Sequence, residues 1–103
     1  MTFAIRNNKI YKQPSNLQIG EIRNNKIYKY PSNAQLGYSK NDKIYKYPTN
    51  VQIGQIKNNK IYKYPSNAQI GDITKIRSQI KDSQSTDPAS LVAAYNFLIK
   101  PIF

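Results

Sequence analysis

The sequence predicts a mainly β fold. Four 17-residue β-hairpin repeats close into a small pseudo-four-fold symmetric ring or barrel, with a C-terminal hydrophobic helix packed in its centre. Three observations predict it. The 17-residue stretch Ile56–Asp72 recurs without insertion or deletion from Ile5, Ile22, Ser39 and Ile56, filling residues 5–72. Each copy sets an Asn-rich turn between two short runs of β-branched and aromatic residues. An almost wholly apolar helical segment follows near the C-terminus.

The first turn in each copy is Asn7-Asn8, Asn24-Asn25, Asn41-Asp42 and Asn58-Asn59. Asn and Asp tolerate positive φ, which suits a two-residue primed turn joining strands of the natural twist. The second connection starts at Pro14, Pro31, Pro48 and Pro65, where the missing ladder donor ends the hairpin's second strand. A two-residue turn sets Ile56 opposite Ile61 and Gly54 opposite Lys63 on one face, with Gln55 opposite Tyr62 and Ile53 opposite Tyr64 on the other. Gly20, Gly37, Gly54 and Gly71 mark a bulge, a sharp bend or a close backbone approach, and a bulge there shifts Ile53 to the Ile56 face. An open eight-strand meander exposes two edges, whereas equal units rotated by equal angles close and remove them.

The ring takes residues 1–76, with repeats at 5–21, 22–38, 39–55 and 56–72. Ile73 and Ile76 begin a partial fifth copy that covers or closes it. Residues 77–87 are a polar linker, and 88–103 carry the helix of the same single domain. Asp87 is the helix N-cap, Pro88 fits the first helical position, and Lys100-Pro101 ends it. Only Asn96 is clearly polar between Leu91 and Ile99, so the helix belongs in an apolar setting. About 18 Å of helix is too short for a hydrocarbon core of roughly 30 Å, but fits the centre of a ring. Leu91, Val92, Tyr95, Leu98 and Ile99 are expected to meet the ring isoleucines there; shallow insertion of the tail into a membrane is the alternative.

Sixteen Lys and Arg against five Asp and Glu give a net charge of +11, which attracts polyanions. Simple solubilisation is the competing explanation. The chain has no cysteine and no histidine, which removes disulfides, thiolate metal sites and the usual general base. The acids do not recur at one repeat position, and Ser15, Ser32 and Ser66 read as turn residues, so no enzyme, metal, cofactor or small-molecule substrate is expected. Cations flank every hairpin tip: Arg6, Lys9, Arg23, Lys26, Lys40, Lys43, Lys57 and Lys60. In a ring they crowd one rim, and Tyr11, Tyr28, Tyr45 and Tyr62 supply aromatic contacts beside them. Tyr with Lys suits a membrane interface or stacking on single-stranded nucleic acid, and equally serves ordinary strand pairing.

The Ile-Gly pairs (Ile19-Gly20, Leu36-Gly37, Ile53-Gly54, Ile70-Gly71) and Ile-Tyr pairs (Ile10-Tyr11, Ile27-Tyr28, Ile44-Tyr45, Ile61-Tyr62) resemble the four-fold β-flower proteins, small bacterial hairpin-repeat folds. That family is similar in shape to the tubby and scramblase-like barrels, in which a hydrophobic C-terminal helix threads the barrel. The resemblance implies architecture and transfers no binding residue. The expected function is a non-catalytic module binding an anionic partner, best anionic lipid headgroups at a membrane surface. Nucleic-acid binding or a purely structural role is the alternative. The expected location is cytoplasmic with peripheral membrane contact, since no secretory signal or apolar run of spanning length is present. Near-identical copies permit strand exchange, which leaves the oligomeric state open.

Overall fold

The computed structural model describes residues 2–103. One ten-stranded sheet runs in the order β10-β1-β2-β3-β4-β5-β6-β7-β8-β9. Its strands are β1 (Thr2–Arg6), β2 (Lys9–Gln13), β3 (Leu17–Arg23), β4 (Lys26–Lys29), β5 (Gln35–Lys40), β6 (Lys43–Lys46), β7 (Gln52–Lys57), β8 (Lys60–Lys63), β9 (Gln69–Asp72) and β10 (Ile80–Lys81). Both residues of each hairpin tip have φ between 50° and 65°, the conformation a primed turn needs and Asn tolerates best. Consequently Ile56 pairs with Ile61, Gln55 with Tyr62 and Gly54 with Lys63, and the other hairpins repeat this register. Pro14, Pro31, Pro48 and Pro65 follow cis peptide bonds just beyond the strands they end.

Between hairpins the register slips once per copy. Ile44 faces Gly54 while Tyr45 faces Gln52, so Ile53 is an extra, unopposed residue. The same slip isolates Ile19, Leu36 and Ile70. This bulge turns Ile19 and Ile53 onto the core.

The sheet does not close, contrary to the expected ring. After β9 the chain forms helix α1 (Ile73–Gln79) rather than a strand, and β10 then pairs in parallel with β1. Asp72 caps α1 by accepting from the Thr74 N–H at 2.7 Å. Ile73 and Ile76 are three residues apart and both buried, so α1 turns one apolar face onto the core, and Ile80 is buried at the start of β10. The expected polar linker 77–87 is therefore largely structured. It holds the end of α1 and β10, and Arg77 ties down the remainder by donating to the Ser83 and Thr86 carbonyls.

Helix α2 (Pro88–Ala94) starts at Asp87, whose carboxylate accepts from the Ser90 N–H at 3.1 Å. It lies against β3 to β7 and α1, and Ala89 to Tyr95 are all buried. Leu91, Val92 and Tyr95 thus sit in the core with Ile5, Ile10, Ile22, Ile27, Ile44, Ile56 and Ile61. Serine replaces isoleucine at the start of the third repeat because Ser39 meets Ser90, oxygen to oxygen at 2.8 Å. A π-helical turn (Tyr95–Ile99) follows, and there Leu98 and Ile99 are only half-buried. Asn96, the polar exception, accepts from the Ile102 and Phe103 N–H groups and folds the tail back. Leu98 then covers Gly20, Phe97 covers Gly37 and Phe103 covers Gly54. No glycine has positive φ, so these three are required for space alone.

Candidate anion-binding rims

An antiparallel meander places all four hairpin tips at one end of the sheet and all four proline loops at the other. The two ends differ in chemistry.

At the tip end, Arg6 lies opposite Lys9, Arg23 opposite Lys26, Lys40 opposite Lys43 and Lys57 opposite Lys60, and all eight are exposed. The two arginines nevertheless leave the rim. Arg6 lies over the Tyr11 ring, 4.7 Å from its centroid, and donates to Asn16 Oδ1 at 2.5 Å. Arg23 does the same over Tyr28 at 4.0 Å, reaching Asn33 Oδ1 at 2.6 Å. Both guanidiniums therefore run down the outer wall toward the proline loops, as the planar fork of arginine allows. Lysine cannot make this stacked, forked contact. Where Lys40 and Lys57 stand instead, Tyr38 and Gln55 donate to Asn50 and Asn67. Tyr45 stacks on Tyr38 with centroids 5.0 Å apart. Of the four wall tyrosines expected to offer a free aromatic face, Tyr11, Tyr28 and Tyr45 have one face covered by the protein itself.

All five acids lie toward the tips. Asp42 is in a tip, Glu21 faces Lys9, Asp72 faces Lys60, and Asp87 shares a shallow pocket with Asn24 and Asn25. Asp82 follows Lys81, which pairs with Ala4 on the tipward run of β1. Hydrogen bonds from the Thr74 N–H and then the Thr74 side chain, with a smaller contribution from Lys60, hold the Asp72 carboxyl below its usual 3.8.

The proline-loop end carries what the sequence reading passed over. Among the described residues, the large exposed apolar side chains are Leu17, Tyr30, Tyr47, Val51, Tyr64 and Ile70, between 38% and 60% exposed, and all lie at this end. Lys12, Lys29, Lys46 and Lys63 stand beside them, two residues beyond the buried isoleucines and so on the inner face of the strand ends. Lys100, on the tail, instead lines a pocket together with Asp72 and Lys75. No acid lies among Lys12, Lys29, Lys46 and Lys63, and Glu21–Arg23 is the one ion pair among the described residues. The signal was present in the sequence as Lys-Tyr-Pro, three times over, but only strand direction shows that the rim is acid-free.

No family model, curated protein or solved structure matches the chain. Among the described residues, no helix is long and apolar enough to cross a membrane.

Proposed function

We propose that this chain is a non-catalytic module that docks on an anionic membrane surface through its proline-loop rim. The observation that carries the reading is the coincidence, among the described residues, of the large exposed apolar side chains with four lysines in no ion pair at one end of the sheet. Half-exposed tyrosines favour the headgroup layer, where an apolar ring body and a wet hydroxyl are both accommodated. Lysines beside them gain about 1 kcal/mol each near an anionic leaflet. The tip rim has more cations but no apolar anchor, its arginines are committed to the wall, and the acids dilute its field. The same facts count against stacking on single-stranded nucleic acid, because most of the wall tyrosines are already capped.

Co-sedimentation of the full chain with phosphatidylglycerol-containing and with neutral vesicles tests this. The helix must stay, since α2 is core rather than an appendage. Binding to the anionic vesicles is expected, and the pair Lys46→Glu with Lys63→Glu should weaken it by more than about thirtyfold, the loss from two lysines at roughly 1 kcal/mol each before the added repulsion of the glutamates. The tip pair Lys43→Glu with Lys60→Glu should weaken it less than fivefold, through long-range field alone. Equal losses from the two pairs would reject the rim, and complete release by a single-stranded oligonucleotide would move the assignment to nucleic acid.

A further inference from the structure

The proline-loop rim is not uniform. Between the first and second repeats it holds a cleft of about 570 Å³, within the range of small-ligand sites. Its wall is Leu17, Ile19, Leu36, Phe97 and Leu98, with Tyr30 and Pro31 at the side. The equivalent space over Gly54 is narrowed by Phe103, and that over Gly37 is filled by Phe97. Over Gly20 the nearest tail side chain is Leu98, smaller than phenylalanine, and the cleft lies beside it. Lys29 is the sole charged residue lining it, and Gln18 the one other polar side chain. Lys29 is exposed and takes part in no ion pair.

An apolar trough with one unpartnered ammonium calls for an amphiphile with a single negative head. We propose that this cleft holds one acyl chain of an anionic lipid, with Lys29 against its phosphate. This assignment rests on the membrane-surface reading and names the lipid part that the rim takes up. A neutral or zwitterionic head leaves the ammonium without net charge complementarity, so discrimination by head charge belongs to Lys29. The chain contributes affinity through burial against Leu36, Phe97 and Leu98.

The test is a titration of the full chain with lysophosphatidylglycerol below its micelle concentration, read by amide chemical shifts, with lysophosphatidylcholine as the comparison. Saturable shifts are expected at residues 17–19, 29–30, 36 and 97–98. The choline lipid should bind roughly fivefold more weakly, and Lys29→Gln should remove that preference. Leu36→Trp, which fills the trough, should abolish saturable binding. Leu17→Asn, at an exposed position that the fold does not depend on, should weaken it. Lys63→Gln occupies the same repeat position away from the cleft and should affect vesicles but not the monomeric lipid. Shifts absent from these residues, or equal affinity for both heads, would overturn the cleft assignment. Vesicle sedimentation by Leu36→Trp at the wild-type level would show the rim reading standing without the cleft. Lysolipid binding without any vesicle binding would show the reverse.

Discussion

The second and fourth repeats have nearly the same sequence and different surroundings. Gly37 lies under the Phe97 ring, whereas a side chain added at Gly71 would meet only Ile61 Cδ1, at 3.6 Å. The third repeat's bulge residue, Ile53, packs on the core, while its fourth-repeat counterpart Ile70 is 38% exposed. The cause lies outside the repeats. Of the tail's apolar side chains, Leu98, Phe97 and Phe103 each cover one glycine seat, while Ile99 and Ile102 pack on the core without covering Gly71 in the same way. The repeat therefore dictates backbone conformation, and the non-repeating C-terminus decides which copies become core.

The sharpest way to break this comparison is to add a methyl group at each seat. Gly37→Ala drives its Cβ into Phe97 and the Tyr45 carbonyl, and strand backbone cannot yield cheaply. A loss of about 3 kcal/mol is expected, on the order of 15 °C in Tm for a chain of this size. Gly71→Ala meets ordinary van der Waals contact and should change stability by less than about 1 kcal/mol, with a gain permitted because alanine orders the unfolded chain. Equal losses in thermal melts would mean that the glycines serve the bulge itself rather than the tail. Ile53→Ala against Ile70→Ala asks the same question with a smaller effect, about 2 kcal/mol against roughly 0.5.

The outer wall gives a smaller contrast. Arg23 stacks on Tyr28 and donates to Asn33, while Lys57 in the fourth repeat makes neither contact. Arg23→Ala should cost about 1 kcal/mol and Lys57→Ala close to nothing, by denaturant midpoint. A matched pair would show that the stacked arginine is solvated in solution.

What was legible in the chain is what adjacent residues decide. Asn-Asn turns, hairpin register and the Asp87-Pro88 helix start follow from conformational preferences within a few residues, and each is present. The Asn58-Asn59 tip alone dictates that Ile56 meets Ile61. The opening of the sheet was not legible by the same means, because Ile73-Thr74-Lys75-Ile76 continues the apolar beat of the preceding strands. The helical alternative was written in the spacing of Ile73 and Ile76 and in the Asp72 cap, and packing of α1 against α2 makes it win. The candidate rim needed strand direction as well as composition. Counting charges favours the tips, and only placing all five acids there reveals the other end as the uncompensated one.

Asp72 is where the fourth repeat hands over to that helix, and it yields the smallest measurable effect. Its carboxylate accepts from Thr74 N–H and lies opposite Lys60, which depresses its pKa below the 3.8 of an unfolded aspartate. A depressed carboxyl stabilises the fold fully above pH 3.8, and that contribution fades as pH falls through 3.8 to the folded value. Asparagine caps a helix about as well but carries no charge. Asp72→Asn should therefore sit slightly below the wild type at pH 7 and converge with it near pH 2. Glu21, Asp42, Asp82 and Asp87 remain in both proteins, so their titration cancels in the difference. A gap that stays constant from pH 7 to pH 2 would assign the effect to cap geometry alone and leave Lys60 without a part in it.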